Sequence, residues 1–139
     1  MTIPSYPLAD EHVTVTLNGS GAGVASWTPG SPAAGGGVGV GRLSGLTVDI
    51  TGVAVSVAPV SPATAPVNQA RCSVYLSYGV QATDANNFQG TTVTGSTGDT
   101  DTLTATLKPG DWITAVWTGG DAGAIATMRI LGTVNPPGT

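Results

Sequence analysis

Short stretches in which apolar and polar residues alternate recur along this chain. In residues 12–17, Val13, Val15 and Leu17 alternate with a histidine and two threonines, which is typical of a half-buried β-strand. Asn18-Gly19 follows and is a strong hairpin signal, so we predict that residues 23–28 return as the partner strand.

A second alternating stretch, residues 43–58, changes its parity part-way. The large apolar residues lie at even positions from Leu46 to Ile50 and at odd positions from Val53 to Val57. Because side chains in a strand repeat every two residues, the switch at Thr51-Gly52 requires one extra residue or a turn. The pattern therefore predicts either one long bulged strand or two strands joined by a tight turn.

The rest of the chain favours short strands separated by loops and turns rich in glycine and proline. Further strands are predicted at residues 71–78, near 90–94, and at 102–107, 111–118 and 124–131. Residues 29–41 are a low-complexity loop that merges into a strand near Val38, and residues 59–66 are a second loop. Since no stretch has helical periodicity, we expect an all-β single-domain β-sandwich with jelly-roll character. Its predicted parts are an extended N-terminal arm (1–11), the sandwich (12–134) and an unstructured tail (135–139).

Composition supports a folded domain with an unusual surface. Only 9% of the 139 residues are charged, against about 25% in typical soluble domains, and the formal net charge is −4. Valine and threonine are abundant, whereas disordered chains are usually poor in β-branched residues and carry more net charge. A surface of Thr, Ser, Gly and Ala loses little when it is covered, because few charges must be desolvated. We therefore expect a subunit of an assembly, and a homo-oligomer in particular.

Several partners and compartments are disfavoured by the same counts. Four scattered basic residues cannot form the patch that nucleic acid binding needs, so we expect no nucleic acid partner. The start of the chain lacks the charged and apolar regions of a signal peptide, and no run reaches the length of a membrane span. A single cysteine, Cys72, excludes an internal disulfide.

The residues offer little for catalysis or metal binding. One histidine, His12, and one cysteine, Cys72, cannot supply a zinc site, and Cys72 is predicted to point into the core. Asp84, Asp99, Asp101 and Asp121 lie in predicted loops but without the spacing of a calcium loop. Aspartate is also common in turns because its side chain bonds nearby backbone. We expect no enzyme activity, no cofactor and no metal.

The aromatic residues are the candidates for a binding surface. Trp112 and Trp117 are five residues apart in one predicted strand, so they point to opposite faces of a sheet. The more polar neighbourhood assigns Trp112 to the outside, and Tyr75 is also predicted to face outward. Such a pair suits either an interface anchor or a sugar-stacking platform. The predicted contact residues are Ile3, Tyr6 and Leu8 of the arm, together with Tyr75 and Trp112.

Motifs in the second half resemble a known group of proteins. The motifs are Cys72-Ser-Val-Tyr-Leu76, Gly90-Thr-Thr-Val-Thr-Gly95, Leu107-Lys-Pro-Gly-Asp111 and Trp117-Thr-Gly-Gly-Asp121, followed by an Ala/Thr-rich strand from 124 to 132. The chain thereby resembles small β-rich proteins encoded among the structural genes of tailed phages and prophages of actinobacteria. The resemblance covers the C-terminal half well and the N-terminal hairpin loosely. The Leu-x-x-Gly-Asp turn is also similar to turns of trimeric jelly rolls.

The resemblance implies a virion structural protein and brings no catalytic motif with it. The first expectation is a capsid decoration protein that binds the outer shell and stabilises it. Its partners would be the major capsid protein or other virion proteins, it would form a small homo-oligomer such as a trimer, and it would be located in the virion. The alternative is a carbohydrate-binding or host-adhesion module of a tail or collar appendage.

Overall fold

The computed structural model describes residues 5–8, 11–29, 47–61, 67–79, 83, 88–92 and 103–135. These residues contain nine strands and no helix. The strands are β1 (Tyr6–Pro7), β2 (His12–Thr16), β3 (Gly23–Trp27), β4 (Thr47–Ala58), β5 (Arg71–Ser77), β6 (Phe88–Thr92), β7 (Ala105–Leu107), β8 (Trp112–Thr118) and β9 (Ile125–Asn135). The predicted strand near Val38 and most of the predicted tail lie outside the described residues.

The strands form two antiparallel sheets packed face to face, which confirms the predicted all-β sandwich. Sheet 1 has the order β1-β9-β4-β7, with β2 also paired to β9, and sheet 2 has the order β3-β8-β5-β6. The pairs are nested along the chain: β5 pairs with β6, β4 with β7, β3 with β8, and β2 with β9. The chain is therefore folded like one long two-stranded ribbon whose successive segments belong alternately to the two sheets.

The core lies between the sheets and is built from the inward residue of each alternating pair. Its largest side chains include Trp27 of β3 and Trp117 of β8, both without solvent exposure. From sheet 1, Val53, Val55 and Val57 of β4 contribute buried side chains to the same core. Burial of such a set is the main stabilising contribution to a sandwich that has no disulfide.

The parity switch in β4 is a β-bulge within one long strand. Ile50 pairs with Gly132 and Gly52 pairs with Leu131, so Thr51 is an extra residue on β4. Inward-facing residues consequently lie at even positions before the bulge and at odd positions after it. Of the two predicted arrangements, the long bulged strand is the one observed.

Part of the predicted N-terminal arm is incorporated into sheet 1. Tyr6 and Pro7 pair with Val134 and Thr133, and Leu8 packs against the core. Asn135, predicted to begin the tail, is the last residue of β9. The physical reason is that β9 extends beyond β2, and β1 supplies backbone partners for that extension.

The predicted hairpin of residues 12–17 and 23–28 is wrong, because the two strands belong to different sheets. β2 pairs with β9, and β3 pairs with β8. The Asn18 side chain accepts hydrogen bonds from the backbone N–H groups of Ser20 (2.8 Å) and Ala22 (3.2 Å), which stabilises a wider loop. That loop crosses from one sheet to the other, so each strand gains a separate partner while its apolar side stays in the core.

The turn between β7 and β8 forms as its residues require. The Asp111 backbone N–H donates to the Lys108 carbonyl (3.0 Å), Pro109 occupies the second position, and Gly110 the third with φ +100°. Positive φ at the third position defines a type II turn and favours glycine. One of the motifs that carry the resemblance is thus a structural turn.

Candidate binding surface

The outer face of sheet 2 carries the two aromatic residues that the sequence pattern singles out there. On β8, Ile113, Ala115 and Trp117 are buried in the core. Alternation therefore places Trp112 and Thr114 on the outer face. The prediction that Trp112 and Trp117 point to opposite faces is confirmed.

Tyr75 and Trp112 lie close together on this face. Tyr75 of β5 is directly opposite Thr114, and Trp112 is directly opposite Ser77, so the two aromatics are diagonal neighbours on adjacent strands. Diagonal neighbours in an antiparallel pair are roughly 7–8 Å apart, within reach of aromatic side chains. Both aromatic residues are half-buried.

Small polar residues between these aromatics are covered, although they are on the outside of the sheet. Thr114 has 0% exposure, and its hydroxyl lies 3.1 Å from that of Ser26 on β3. Ser77 is buried as well. We call Ser26, Tyr75, Ser77, Trp112 and Thr114 the aromatic face. The small polar residues of this face are therefore buried or hydrogen-bonded to one another.

Charge is nearly absent from sheet 2. Its four strands contain one charged residue, Arg71, at the start of β5. The strands of sheet 1 are similarly poor in charge, with Asp49 and Arg129 at exposed positions. Covering the aromatic face would therefore cost little desolvation of charge.

The other predicted contact residues lie elsewhere. Tyr6 is 43% exposed on β1, at the edge of sheet 1, and Leu8 is half-buried beside it. Ile3 lies outside the described residues. The structure thus brings Tyr75 and Trp112 together on one sheet and places Tyr6 and Leu8 at the edge of the other.

Two aspartates hold loops in place through backbone hydrogen bonds. The Asp121 carboxylate accepts the backbone N–H groups of Val67 (2.8 Å) and Asn68 (2.9 Å), and these bonds hold its pKa below the ordinary value. The buried Asp111 accepts the N–H groups of Gly79 (2.9 Å) and Lys108 (3.1 Å). Asp121 thus joins two segments that are distant in sequence. Asp111 does the same with Gly79 and also closes the turn at Lys108, so both carboxylates stabilise the fold.

A third aspartate belongs to a hydrogen-bonded row across the outside of sheet 1. Asp49 of β4 accepts from the Thr106 hydroxyl (2.7 Å) and the Asn135 amide (2.8 Å), and Asn135 in turn accepts from the Ser5 hydroxyl (2.6 Å). Hydrogen bonds from Asn135 and Thr106 hold the pKa of the Asp49 carboxyl below its ordinary value. The row links β7, β4, β9 and the residue before β1.

Glu11 is the residue whose position sequence reasoning missed. It is the only glutamate of the chain, and it is 1% exposed, with Oε1 accepting from the Trp27 indole nitrogen at 3.2 Å. The available signal was the alternation itself, because extending the odd-numbered apolar series of β2 backwards places Glu11 on the core side. Because glutamate is rarely buried, the alternation was not extended to position 11.

The structure places the only histidine and the only cysteine of the chain on different sheets. His12 lies on β2 at an even position, the outer side of sheet 1, whereas Cys72 is fully buried between the sheets. Burial raises the pKa of the Cys72 thiol to about 12, so the thiolate is scarce at neutral pH. No group of three potential metal-ligating side chains occurs among the described residues. The loop residues Asp84, Asp99 and Asp101 lie outside them.

No protein-family model matches the chain, and no curated protein matches it.

No helix in the described part of the chain has the length and apolar character needed to cross a membrane.

Proposed function

We propose that this chain is a non-enzymatic structural protein of a phage particle, a capsid decoration protein that binds the outside of the shell and stabilises it. Its partner is the major capsid protein or another virion protein. It acts as a homo-oligomer, with a trimer as the expected state, and it neither binds nucleic acid nor enters a membrane.

The observation that carries this proposal is the aromatic face on a sheet with almost no charge. Half-buried Tyr75 and Trp112 are the residue types enriched at the energetic centres of protein interfaces. Charged residues are depleted at such centres, as they are in the strands of sheet 2. Each of the described carboxylates accepts a hydrogen bond within the chain.

Strand order supports the virion assignment at the level of architecture. We infer that the nested antiparallel pairs, which lie in a five-stranded and a four-stranded sheet, belong to a jelly roll, a double-sheet fold. Jelly rolls are frequent in viral capsid domains and also in lectins. Architecture alone does not assign function, so it agrees with the proposal and with its main alternative.

The resemblance to phage structural proteins adds to this support. Two of its motifs, 107–111 and 117–121, surround β8, which carries Trp112. The first is the type II turn that leads directly into Trp112, and the second ends at Asp121, which holds Val67 and Asn68. The shared motifs are therefore the turns that fix the strand bearing the aromatic face.

The test is binding to purified particles that lack this protein, measured by cosedimentation and located by electron microscopy. We expect saturable binding to the outer shell, weakened at least about tenfold by Trp112→Ala, since interface aromatics often contribute more than 1.4 kcal/mol. Tyr78→Ala is the matched control, because Tyr78 is exposed next to β5 but outside the aromatic face. Absence of the protein from native particles by mass spectrometry, together with no binding to stripped ones, would overturn the proposal.

A carbohydrate-binding module of a tail or collar appendage is the second candidate. It is favoured by the adjacency of Tyr75 and Trp112, since neighbouring aromatic rings are suited to stacking against sugars. A glycan array and a cell-wall pull-down distinguish the two functions. Glycan binding that is lost in folded Trp112→Ala, without any binding to capsids, would select this alternative.

A further inference from the structure

The outer edge of sheet 1 is made of two pieces that pair with different parts of β9. β2 pairs with Ile125–Arg129, and β1 pairs with Thr133 and Val134. From Pro7 to His12 the edge advances five residues while β9 advances four, from Thr133 to Arg129. Between the described pairs at Pro7 and His12, the edge therefore has one residue more than the facing part of β9.

The two pieces are attached to the sandwich very differently. The first piece, residues 5–8, is held by two paired residues, the Leu8 N–H bond to the Gly132 carbonyl (2.9 Å) and the Ser5 contact with Asn135. Its Tyr6 remains 43% exposed. A short edge segment with so few contacts opens at much lower free energy than the whole domain.

The second piece begins with a firm attachment at Glu11. The Glu11 carbonyl accepts from the Ile130 N–H (2.9 Å), and its buried carboxylate accepts from Trp27 in the other sheet. The five paired residues of β2 follow immediately. Opening that starts at the N-terminal end therefore stops before Glu11 and leaves the sandwich intact.

We propose that residues 5–8 exchange between copies of this chain, so that β1 of one copy pairs with residues 132–135 of β9 in a second copy. This inference rests on the homo-oligomeric part of the proposed function and not on capsid binding. Every contact of the segment, from Ser5 with Asn135 to Leu8 with Gly132, is available in identical form on a second copy. Departure of the segment leaves an uncovered strand edge, and such edges pair readily with another strand.

A second copy is favoured over an unrelated strand by the specificity of these contacts. The Leu8 side chain packs against the core beside Gly132, and a hydroxyl at position 5 meets Asn135. The edge of β9 therefore fits the side chains that this chain has at positions 5 and 8. Exchange keeps these contacts and links neighbouring subunits through backbone hydrogen bonds.

The experiment is disulfide trapping in the full-length chain. Ser5 and Asn135 are in register across the two strands, with side-chain oxygens 2.6 Å apart, so Ser5→Cys with Asn135→Cys places two thiols within bonding reach. The native mass of the unmodified protein and of the double variant is measured first. The double variant is then oxidised. Its remaining thiols are blocked in denaturant so that Cys72 cannot form disulfides afterwards, and the sample is run on a non-reducing denaturing gel. Thr14→Cys with Thr127→Cys, a directly opposed pair of β2 and β9, is the matched control.

Exchange predicts covalently linked chains up to the size of the native oligomer for the Ser5/Asn135 pair, and single chains for the control pair. As a second readout, mixing separate Ser5→Cys and Asn135→Cys chains must yield disulfide-linked dimers. Single chains only, from a protein that is oligomeric by native mass, would overturn exchange while leaving the oligomer proposal standing. A native mass of one subunit would overturn both, and capsid binding would then be judged by its own assay.

Discussion

The Glu11 carboxylate accepts a hydrogen bond from the Trp27 indole nitrogen at 3.2 Å, and both side chains are buried. Glu11 lies immediately before β2 in sheet 1, and Trp27 is the last residue of β3 in sheet 2. The bond therefore connects the two sheets at the side of the sandwich where these strands lie. An indole N–H in the core needs an acceptor, and here the only glutamate of the chain provides it.

Replacing Glu11 tests this connection. Glu11→Ala leaves the Trp27 N–H without this acceptor and opens a cavity, so we expect a loss of about 2–4 kcal/mol in the free energy of unfolding. Glu11→Gln keeps an acceptor oxygen and the side-chain volume, so its loss should be less than half as large. Urea denaturation followed by tryptophan fluorescence measures both. Equal losses in the two variants would contradict a role for the hydrogen bond.

Gly132 should be sensitive to substitution because of the close approach of β4 at the bulge. A Cβ atom at Gly132 would overlap the carbonyl oxygen of Asp49, which is backbone and cannot move aside easily. We expect Gly132→Ala to reduce the free energy of unfolding by about 1–3 kcal/mol, the range of overpacked sites.

Gly52→Ala is the control on the other side of the same bulge. There the nearest atom to an added Cβ is Leu131 Cδ1 at 3.6 Å, an ordinary contact. Its effect should stay within about 1 kcal/mol of zero, because the entropic gain of replacing glycine offsets small adjustments. Thermal denaturation of the two variants side by side makes the comparison. Similar losses at both positions would refute the close approach.

Acid should destabilise the protein through Asp121 and Asp49. Their folded-state pKa values lie below the ordinary value of 3.8, so the folded state binds fewer protons than the unfolded chain in acid. The stabilising contribution is present above about pH 5 and is lost as the pH falls through the folded pKa values. Asp121→Asn should be less stable than the parent at pH 7, and the two stability curves should converge as the pH falls below the ordinary aspartate pKa of 3.8. Parallel curves across that range, measured by urea midpoints, would count against the Asp121 contacts.

Cys72 should be unreactive while the protein is folded. With its thiol pKa raised to about 12, the thiolate fraction at pH 8 is about one in ten thousand, and the side chain is fully buried. A disulfide reagent that releases a coloured thiolate should modify Cys72 only in denaturant. The exposed Thr14→Cys variant provides the positive control and should react within minutes without denaturant. Rapid modification of native Cys72 would show that the core opens far more easily than its packing indicates.

Local pattern was sufficient for much of the fold. Alternation in β2, β5 and β8 identified strands and the inward side of each, including the opposite orientations of Trp112 and Trp117. The parity change at Thr51 located the bulge, and Pro109-Gly110 located a turn. These features depend on side-chain period and backbone dihedral preference, which are properties of neighbouring residues.

Partner choice depended on the tertiary structure. Asn18-Gly19 indicated a hairpin, yet β2 and β3 pair with β9 and β8, because covering both sides of one core outweighs the local preference of a turn. Tyr6 and Leu8 joined sheet 1 because β9 extends past β2, which no pattern within residues 1–11 reveals. Glu11 is buried because Trp27, sixteen residues away, supplies a donor for its carboxylate. The sequence by itself determined which residues form strands and which side of each is apolar, since these follow from short-range stereochemistry. Which strands meet, and therefore that Tyr75 and Trp112 share one uncharged face, was decided by long-range packing, since contacts between distant segments have no period in the chain.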